Sequence, residues 1–293
     1  MHLKPRFFLT DVFGSEKYSG NQLATFINCV SLTSEEMQKI AREINFSETT
    51  FVLSTATSTA GYDVRIFTPY AEVEFAGHPT LGTAYIIREK ILQQAADNVT
   101  LNLKIGKIPV NFSASDNLLW MRQPSPQFGL DYDSQVIADI LSIASQDIDS
   151  DFPIREVSTG FPHIIVPLKS ITALQQVKIN KEKYFALVTD SWAKIILVFA
   201  PQAYTEAQAL SVRVFADYYG INEDAATGSG NGCLAAYLVQ HSYFGSSAID
   251  ICTGQGYEIG RPSQLYLRAD INNGEIEIAV GGRVIEVAEG VWS

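Results

Sequence analysis

Cysteine is scarce in this chain. The three in 293 residues, Cys29, Cys233 and Cys252, lie far apart with no C-x-x-C pair, which excludes a disulfide framework and a cysteine zinc site. Basic residues are also few: 21 Lys and Arg against 32 Asp and Glu leave a net charge of −11. Without a Lys/Arg cluster to neutralise phosphates, nucleic-acid binding is not expected, and the charge opposes anionic membrane surfaces. The longest apolar run, Ile195 to Ala200, is far shorter than the roughly 20 residues of a membrane-spanning helix. The opening MHLKPRFFLTDVF has no apolar core of the secretory-leader kind, so a cytoplasmic protein is expected and the sequon at Asn98-Val-Thr100 has no use. A dinucleotide fingerprint is missing too. Gly228, Gly230 and Gly232 lack the Gly-x-Gly-x-x-Gly spacing, and Asp224 in front of them would repel a pyrophosphate. Neither a metal-spaced His/Cys set nor a lysine in a recognisable pyridoxal context occurs, so no metal and no cofactor are expected.

What the chain does have is a repeat. Residues 65–87 read RIFTPYAEVEFAGHPTLGTAYII and residues 213–239 read RVFADYYGINEDAATGSGNGCLAAYLV. Arg65, Phe67 and Tyr70 match Arg213, Phe215 and Tyr218 at one offset (213 − 65 = 148), and Ala84-Tyr85 match Ala236-Tyr237 at a larger one (236 − 84 = 152). Each copy runs from a β-rich segment through an acidic loop and a Gly-centred turn into an apolar helix. A spacing near half the chain argues for two homologous halves rather than a solenoid of short units. Hydrophobic content of 46% fills two cores. The expected domains are residues 1–122, with the C-terminal tail a candidate addition, and residues 123–293.

A Gly turn feeding a helix leaves the first N–H groups unpaired with the positive end of the helix dipole behind them. Two such turns facing one cleft would hold a carboxylate or phosphate. The bland alternative is that each glycine only permits its turn.

The elements expected in the first half are strands at Phe7–Phe13, Ala24–Ile27, Thr49–Leu53 and Tyr62–Phe67. A helix follows the Thr33…Glu36 capping box. A second helix starts near Pro79 and runs to about Gln94, and a hairpin spans Asn98–Phe112. Residues 123–153 read as a connection with a helix near Ser134–Ile143. The second half should hold strands at Ile164–Pro167 and Lys194–Phe199, a short helix near Glu206–Leu210, and the repeated helix ending near Phe244. Strands at Ile249–Cys252, Gln264–Arg268, Glu275–Val280 and Val284–Val287 close it. The tally is α+β, not a βαβαβ arrangement.

Four places could carry chemistry. Glu48 lies between an apolar residue and a strand-forming run, where desolvation can raise a carboxyl toward an acid/base working range; read blandly, it is a solvated loop residue. His78 follows Gly77 at a helix start, where the dipole disfavours imidazolium and suits a neutral hydrogen-bonding role. The run from Glu223 through Asp224, Thr227, Gly228 and Ser229 offers acids and hydroxyls, or simple N-capping. Gly20-Asn21 presents turn amides and an Asn side chain.

Read together, the strings SGNQLATF, SETTFV, RIFTPYAEVEFAGHPTLGTA, EDAATGSGNG and QGYEIGRPSQLYLR closely resemble the phenazine biosynthesis protein PhzF family, from about residue 6 to about 290. The resemblance implies the diaminopimelate epimerase-like fold: two homologous α+β domains, each a curved, barrel-like, mostly antiparallel sheet around a central helix, related by a pseudo-two-fold axis. It also implies a cofactor-independent isomerase that moves a proton between carbons of a small carboxylate-bearing substrate in the inter-domain cleft. A homodimer is compatible with it. By position Glu48 matches the acid/base, His78, Asp224 and Ser229 its polar partners, and Gly77 and Gly228 its amide donors; Asn21 and Thr227 complete the substrate-binding set. Gln22 and Ala225 replace prolines common in the family. The epimerase branch of the fold uses two cysteines, absent here from both Gly turns, and Cys233 reads as packing. An amino-acid racemase or epimerase, and a binding protein that kept the fold, stand as alternatives.

Overall fold

In the computed structural model, which describes residues 4–53 and 61–293, the chain separates into two compact units. The first comprises Met1–Arg122 with Gly281–Ser293 and the second Gln123–Val280.

The first unit opens with the antiparallel strands β1 (Arg6–Val12) and β2 (Asn21–Ile27). Helix α1 (Ser34–Ile44) crosses over to β3 (Glu48–Val52), which lies parallel to β2. β4 (Tyr62–Phe67) returns antiparallel to β3, and the short β5 (Glu72–Val73) folds back on β4. Helix α2 (Gly77–Ile86) continues through a π-helical turn at Ile87–Leu92 and leads to β6 (Asn98–Leu103), parallel to β4. β7 (Gly106–Phe112) and β8 (Leu119–Arg122) then follow antiparallel. On the other edge, residues near the C-terminus pair antiparallel with β1, Val291 opposite Arg6 and Val284 opposite Val12.

The second unit repeats this order. β9 (Gln127–Asp131), β10 (Arg155–Ser158) and β11 (Pro162–Pro167) are antiparallel neighbours. β12 (Ile195–Ala200) lies parallel to β11, and β13 (Leu210–Ala216) antiparallel to β12. β14 (Ile221–Asp224) folds back on β13, β15 (Ala248–Gln255) runs parallel to β13, and β16 (Ser263–Asn272) closes antiparallel. Helices α3 (Ser134–Leu141), α4 (Ile171–Gln176), α5 (Lys181–Val188) and α6 (Gly228–Gln240) complete the unit. The chain leaves it along β17 (Glu275–Gly282) and ends in β18 (Val284–Val291), the strand that pairs with β1.

Local sequence explains the pieces. The capping box forms: Glu36 N–H donates to Thr33 Oγ1 at 3.3 Å and Thr33 N–H to Glu36 Oε2 at 2.8 Å, satisfying two donors at the start of α1. The apolar stripe of α1, Met37, Ile40 and Ala41, covers one face of the sheet with Phe26, Phe51 and Phe67. The other face holds α2, buried at all positions but Tyr85. This helix touches β1, β2, β3, β6, β7, β8 and β18, so the sheet curves around it. A Cβ on Gly82 would lie 2.5 Å from Leu23 Cδ2 and 2.9 Å from Val12 Cγ2; only glycine lets α2 approach so closely. Helix α6, buried along nearly its whole length, occupies the same place in the second unit, touching β10, β11, β15 and β16.

Some expectations need correction. Phe13 leaves the strand in the left-handed region (φ 64°). Residues 123–153 are not a connection: they hold β9, β10's approach and α3, whose Ile137, Ala138, Ile140 and Leu141 sit in the second unit's core. No helix forms at Glu206–Leu210, because Leu210 begins the fully buried β13 opposite Thr253, and sheet pairing overrides local helix propensity. The repeated helices correspond from their starts, Gly77 with Gly228 (228 − 77 = 151). Ala84 therefore answers Ala235, one residue away from the match read off the sequence.

The repeated Arg-[Ile/Val]-Phe encodes one interaction made twice. Arg65 grips Glu72 through Nε and Nη2, both at 2.8 Å, and lies over the Phe67 ring at 5.0 Å. Arg213 grips Glu223 at 2.9 and 2.7 Å and lies over Phe215 at 4.9 Å. Each fork ties the back-folded strand to its neighbour in the geometry that favours Arg over Lys. Arg213 also donates to the Leu174 and Val177 carbonyls. Its side chain is 8% exposed against 24% for Arg65. Arg213→Ala should therefore cost about 3–5 kcal/mol, because it strands a buried carboxylate. Arg65→Ala should cost about 1 kcal/mol, as expected of a more exposed pair. Urea unfolding of the two variants checks this, and equal losses would refute it.

Candidate active site

Strand register decides where Glu48 points. Thr10 pairs with Leu23, and Leu23 with Glu48; paired residues share a face, and Leu23 packs on α2 at Gly82. Glu48 therefore faces α2. Two residues on, the same face carries Thr50, which accepts from Thr83 of α2 at 2.7 Å and donates to Thr25 at 3.0 Å. This buried hydroxyl chain clamps helix to sheet immediately beside Glu48.

At the helix start, Glu48 Oε2 lies 3.6 Å from His78 Nε2, with side chains 16% and 6% exposed. Burial pulls His78 from the usual 6.5 down to about 3, against the upward pull of a hydrogen bond to the Gln22 backbone, so the imidazole is neutral at working pH. Nε2 has no hydrogen-bond partner, so the Gln22 bond uses Nδ1 and Nε2 turns a lone pair toward Glu48. At 3.6 Å Oε2 and Nε2 are close neighbours, beyond hydrogen-bond distance. Asn21, at the start of β2, accepts from Ser47 Oγ at 3.4 Å, which brings it beside Glu48 in the chain. Gly20 just before it turns at φ 70°, and a Cβ there would meet Val12 O and Gly14 N at 2.5 Å. Gly77 begins α2 with no side-chain cap at Ala76, and Pro79 has no N–H to satisfy.

The second unit's candidates gather at the start of α6. Thr227 is the N-cap residue but makes no side-chain cap bond. Its hydroxyl goes instead to Asp224 Oδ2 at 2.6 Å, so the Thr227 side chain does not cap α6. Gly228 and Ser229 are the first residues of α6, Gly228 buried and Ser229 half-buried. Glu223 is occupied with Arg213. Gln255, unassigned in the sequence, donates to the Asp224 carbonyl at 2.9 Å and to Thr227 Oγ1 at 3.0 Å; its only sequence signal was its place in the QGYEIGRPSQLYLR string.

The structure thus brings Glu48 and His78 together in one unit, and Asp224 and Thr227 in the other. Cys233 is fully buried, 3.6 Å from His163 Nδ1, and burial pushes its thiol up to about 12. Among the described residues no three of His, Cys, Asp and Glu are grouped to hold a metal ion, and no helix is long and apolar enough to cross a membrane.

The sequence profile of the family described as phenazine biosynthesis-like protein matches residues 10–290. The chain is 33% identical to the trans-2,3-dihydro-3-hydroxyanthranilate isomerase of Pseudomonas aeruginosa over 290 residues, covering 97% of this chain and 98% of that protein. It is 30% identical to an uncharacterized isomerase of Mesorhizobium japonicum, covering 97% of both. Among solved structures, a PhzF-family phenazine biosynthesis protein of Bacillus anthracis superposes with a TM-score of 0.91 at 28% identity, covering 99% of this chain and 100% of that one. A probable proline racemase of Agrobacterium radiobacter, at 11% identity and TM-score 0.60 over 99% and 93% of the two chains, shares the fold alone.

Buried neutral histidines make stability depend on pH. His78 and His163 fall from 6.5 to about 3 and about 4 in the folded protein, mainly through burial. The unfolded chain binds their protons first, so stability is full above about 6.5 and is lost as pH falls toward those lower values. Moving from pH 7 to pH 5 should cost on the order of 2 kcal/mol per histidine. Urea midpoints at the two pH values check this: the difference should shrink in His78→Gln, and an unchanged difference would count against a buried neutral imidazole.

Proposed function

This chain belongs to the phenazine biosynthesis-like protein family and is an isomerase, and we propose that it moves a proton between two carbons of a small carboxylate-bearing metabolite, with Glu48 as the acid/base and without a cofactor. The observation that carries this reading is the buried Glu48–His78 pair at 3.6 Å. A carboxyl group flanked by a neutral imidazole can take a proton from one carbon and return it to another.

The repeat sharpens the point. Thr49 pairs with Phe67 as Ile196 pairs with Phe215, so Glu48 answers to Ile195, and His78 to Ser229. The second unit lacks the acid/base pair at the matching place. A racemase or epimerase needs a second acid/base group, and the buried Cys233 thiol is a poor one, so a single-base isomerisation is the better reading. A pure binding protein would have no use for a carboxyl placed against an imidazole. We assign the helix starts at Gly77 and Gly228 to the substrate's anionic groups, and Asn21, Asp224, Thr227 and Ser229 to its polar ones.

The first probe is trans-2,3-dihydro-3-hydroxyanthranilate, the substrate in the Pseudomonas relative's name, followed by related unsaturated carboxylates. Glu48→Gln keeps shape but removes the proton acceptor, and turnover should fall about 10²–10⁴-fold. One base acting at both carbons should carry deuterium from the donor carbon into the product, and chelator dialysis should leave the rate unchanged. A loss below about tenfold, or complete wash-out of the label, would overturn the assignment.

A further inference from the structure

Behind Asp224 lies a directed chain of hydrogen bonds. Thr253 Oγ1 donates to Asn231 Oδ1 at 2.7 Å. Asn231 Nδ2 donates to the Thr227 carbonyl at 3.1 Å and to Gln255 Oε1 at 2.9 Å. Gln255 Oε1 also accepts from the Thr227 N–H at 3.1 Å, while its Nε2 donates to the Asp224 carbonyl at 2.9 Å and to Thr227 Oγ1 at 3.0 Å. Thr227 Oγ1 then donates to Asp224 Oδ2 at 2.6 Å. Thr253, Asn231 and Gln255 are fully buried.

The directions are set by chemistry. A backbone N–H can only donate and a backbone carbonyl only accept, and each amide side chain touches at least one such group. Gln255 must therefore place its oxygen on the Thr227 N–H and its NH₂ on the Asp224 carbonyl. That NH₂ can only donate to the Thr227 hydroxyl, whose own proton then goes to Asp224 Oδ2. Asp224 is held from behind as an acceptor twice, through its backbone carbonyl and through one carboxylate oxygen.

The fold does not demand this chain, because the first unit builds the same place without it. Leu101 pairs with Tyr62 as Thr253 pairs with Leu210, so Thr253 and Gln255 answer to Leu101 and Leu103. Asp224 pairs with Val214 as Val73 pairs with Ile66. Counting from the helix starts, Asn231 and Thr227 answer to Thr80 and Ala76. Val73, Ala76, Leu101 and Leu103 carry no side-chain polar group, and Thr80 satisfies itself on the Ala76 carbonyl at 2.7 Å. The polar groups of the second unit are hydrogen-bonded to one another, so the network is tolerated, but the first unit shows that the fold alone does not call for it.

We propose that Gln255 is a positioning residue that, through Thr227, fixes the orientation and acceptor state of the Asp224 carboxylate for the substrate. This rests on the reading of Asp224 as a substrate-facing group.

The test uses the whole chain. In crystal structures of Gln255→Leu and Thr227→Val, Asp224 should leave its rotamer or occupy more than one, while the Ile221–Asp224 backbone stays in place; Thr227→Ser should restore the single rotamer. Because Gln255→Leu strands buried partners, the variant Asn231→Thr/Thr253→Leu/Gln255→Leu, which installs the first unit's residues, serves if the single variant fails to fold. With trans-2,3-dihydro-3-hydroxyanthranilate as probe, kcat/KM should fall about 10- to 100-fold in Gln255→Leu, as small misplacements do. The same change should cost almost nothing further in an Asp224→Asn background. An unmoved single Asp224 rotamer, or additive losses in the two backgrounds, would overturn the proposal. The crystallographic arm needs no turnover, so it decides the role of Gln255 even where Glu48→Gln refutes the isomerase reading.

Discussion

A helix enclosed by a curved sheet has to resolve its first turn without the help of bulk water along its sides. Nine of the ten residues of α2 are buried, and α6 is covered almost as fully. The first N–H groups of each have no carbonyl within the helix to receive them, so polarity concentrates at one point of an otherwise apolar interior. The close approach of α2 at Gly82, the hydroxyl clamp from Thr83 to Thr25 and the extended backbone before Gly77 all follow from placing that point. The burial that makes the helix start difficult also alters the groups around it. His78 is the clearest case, pulled far below the ordinary imidazole range.

The two units solve this problem on one backbone plan with different residues. Strand order, parallel and antiparallel sense, the back-folded strand and the arginine fork are shared. The titrating groups are not. A carboxyl and an imidazole meet at the start of α2, where the second unit has Ile195 and Ser229. An amide-and-hydroxyl chain stands behind the start of α6, where the first unit has mostly aliphatic side chains. What the two units share is what the fold requires, and what they do not share was added to it.

Much of this was legible in the chain. The repeat could be seen because Arg65, Phe67 and Tyr70 recur at one spacing in Arg213, Phe215 and Tyr218, and the resemblance singled out Glu48 and His78 from otherwise ordinary surroundings. The partners of the forks were not legible. Glu72 lies 7 residues after Arg65 whereas Glu223 lies 10 after Arg213, so the spacing breaks where the interaction is made. Gln255 was hidden for a related reason: it reaches Thr227 from 28 residues away, along a parallel strand whose alternation looks like any other. The connection expected over residues 123–153 failed because Pro, Gly and Asp there mark turns within a unit, and α3 between them has the buried face of a core helix. Local composition reads turns well, but it says little about which side of a boundary they serve.

The pairing of β18 with β1 has a consequence for the order in which the molecule can be made. Residues 123–280 form an uninterrupted stretch, so everything the second unit needs has left the ribosome before the first unit has its last strand. Until Val284–Val291 is synthesised, β1 has β2 on one side and an unpaired row of N–H and C=O groups on the other. Phe7 and Phe26 likewise wait for the ring of Trp292, which packs 5.9 and 5.3 Å from theirs. The half that carries Glu48 and His78 is begun first and finished last, so a nascent chain has all of the second unit's residues before β1 gains its second neighbour.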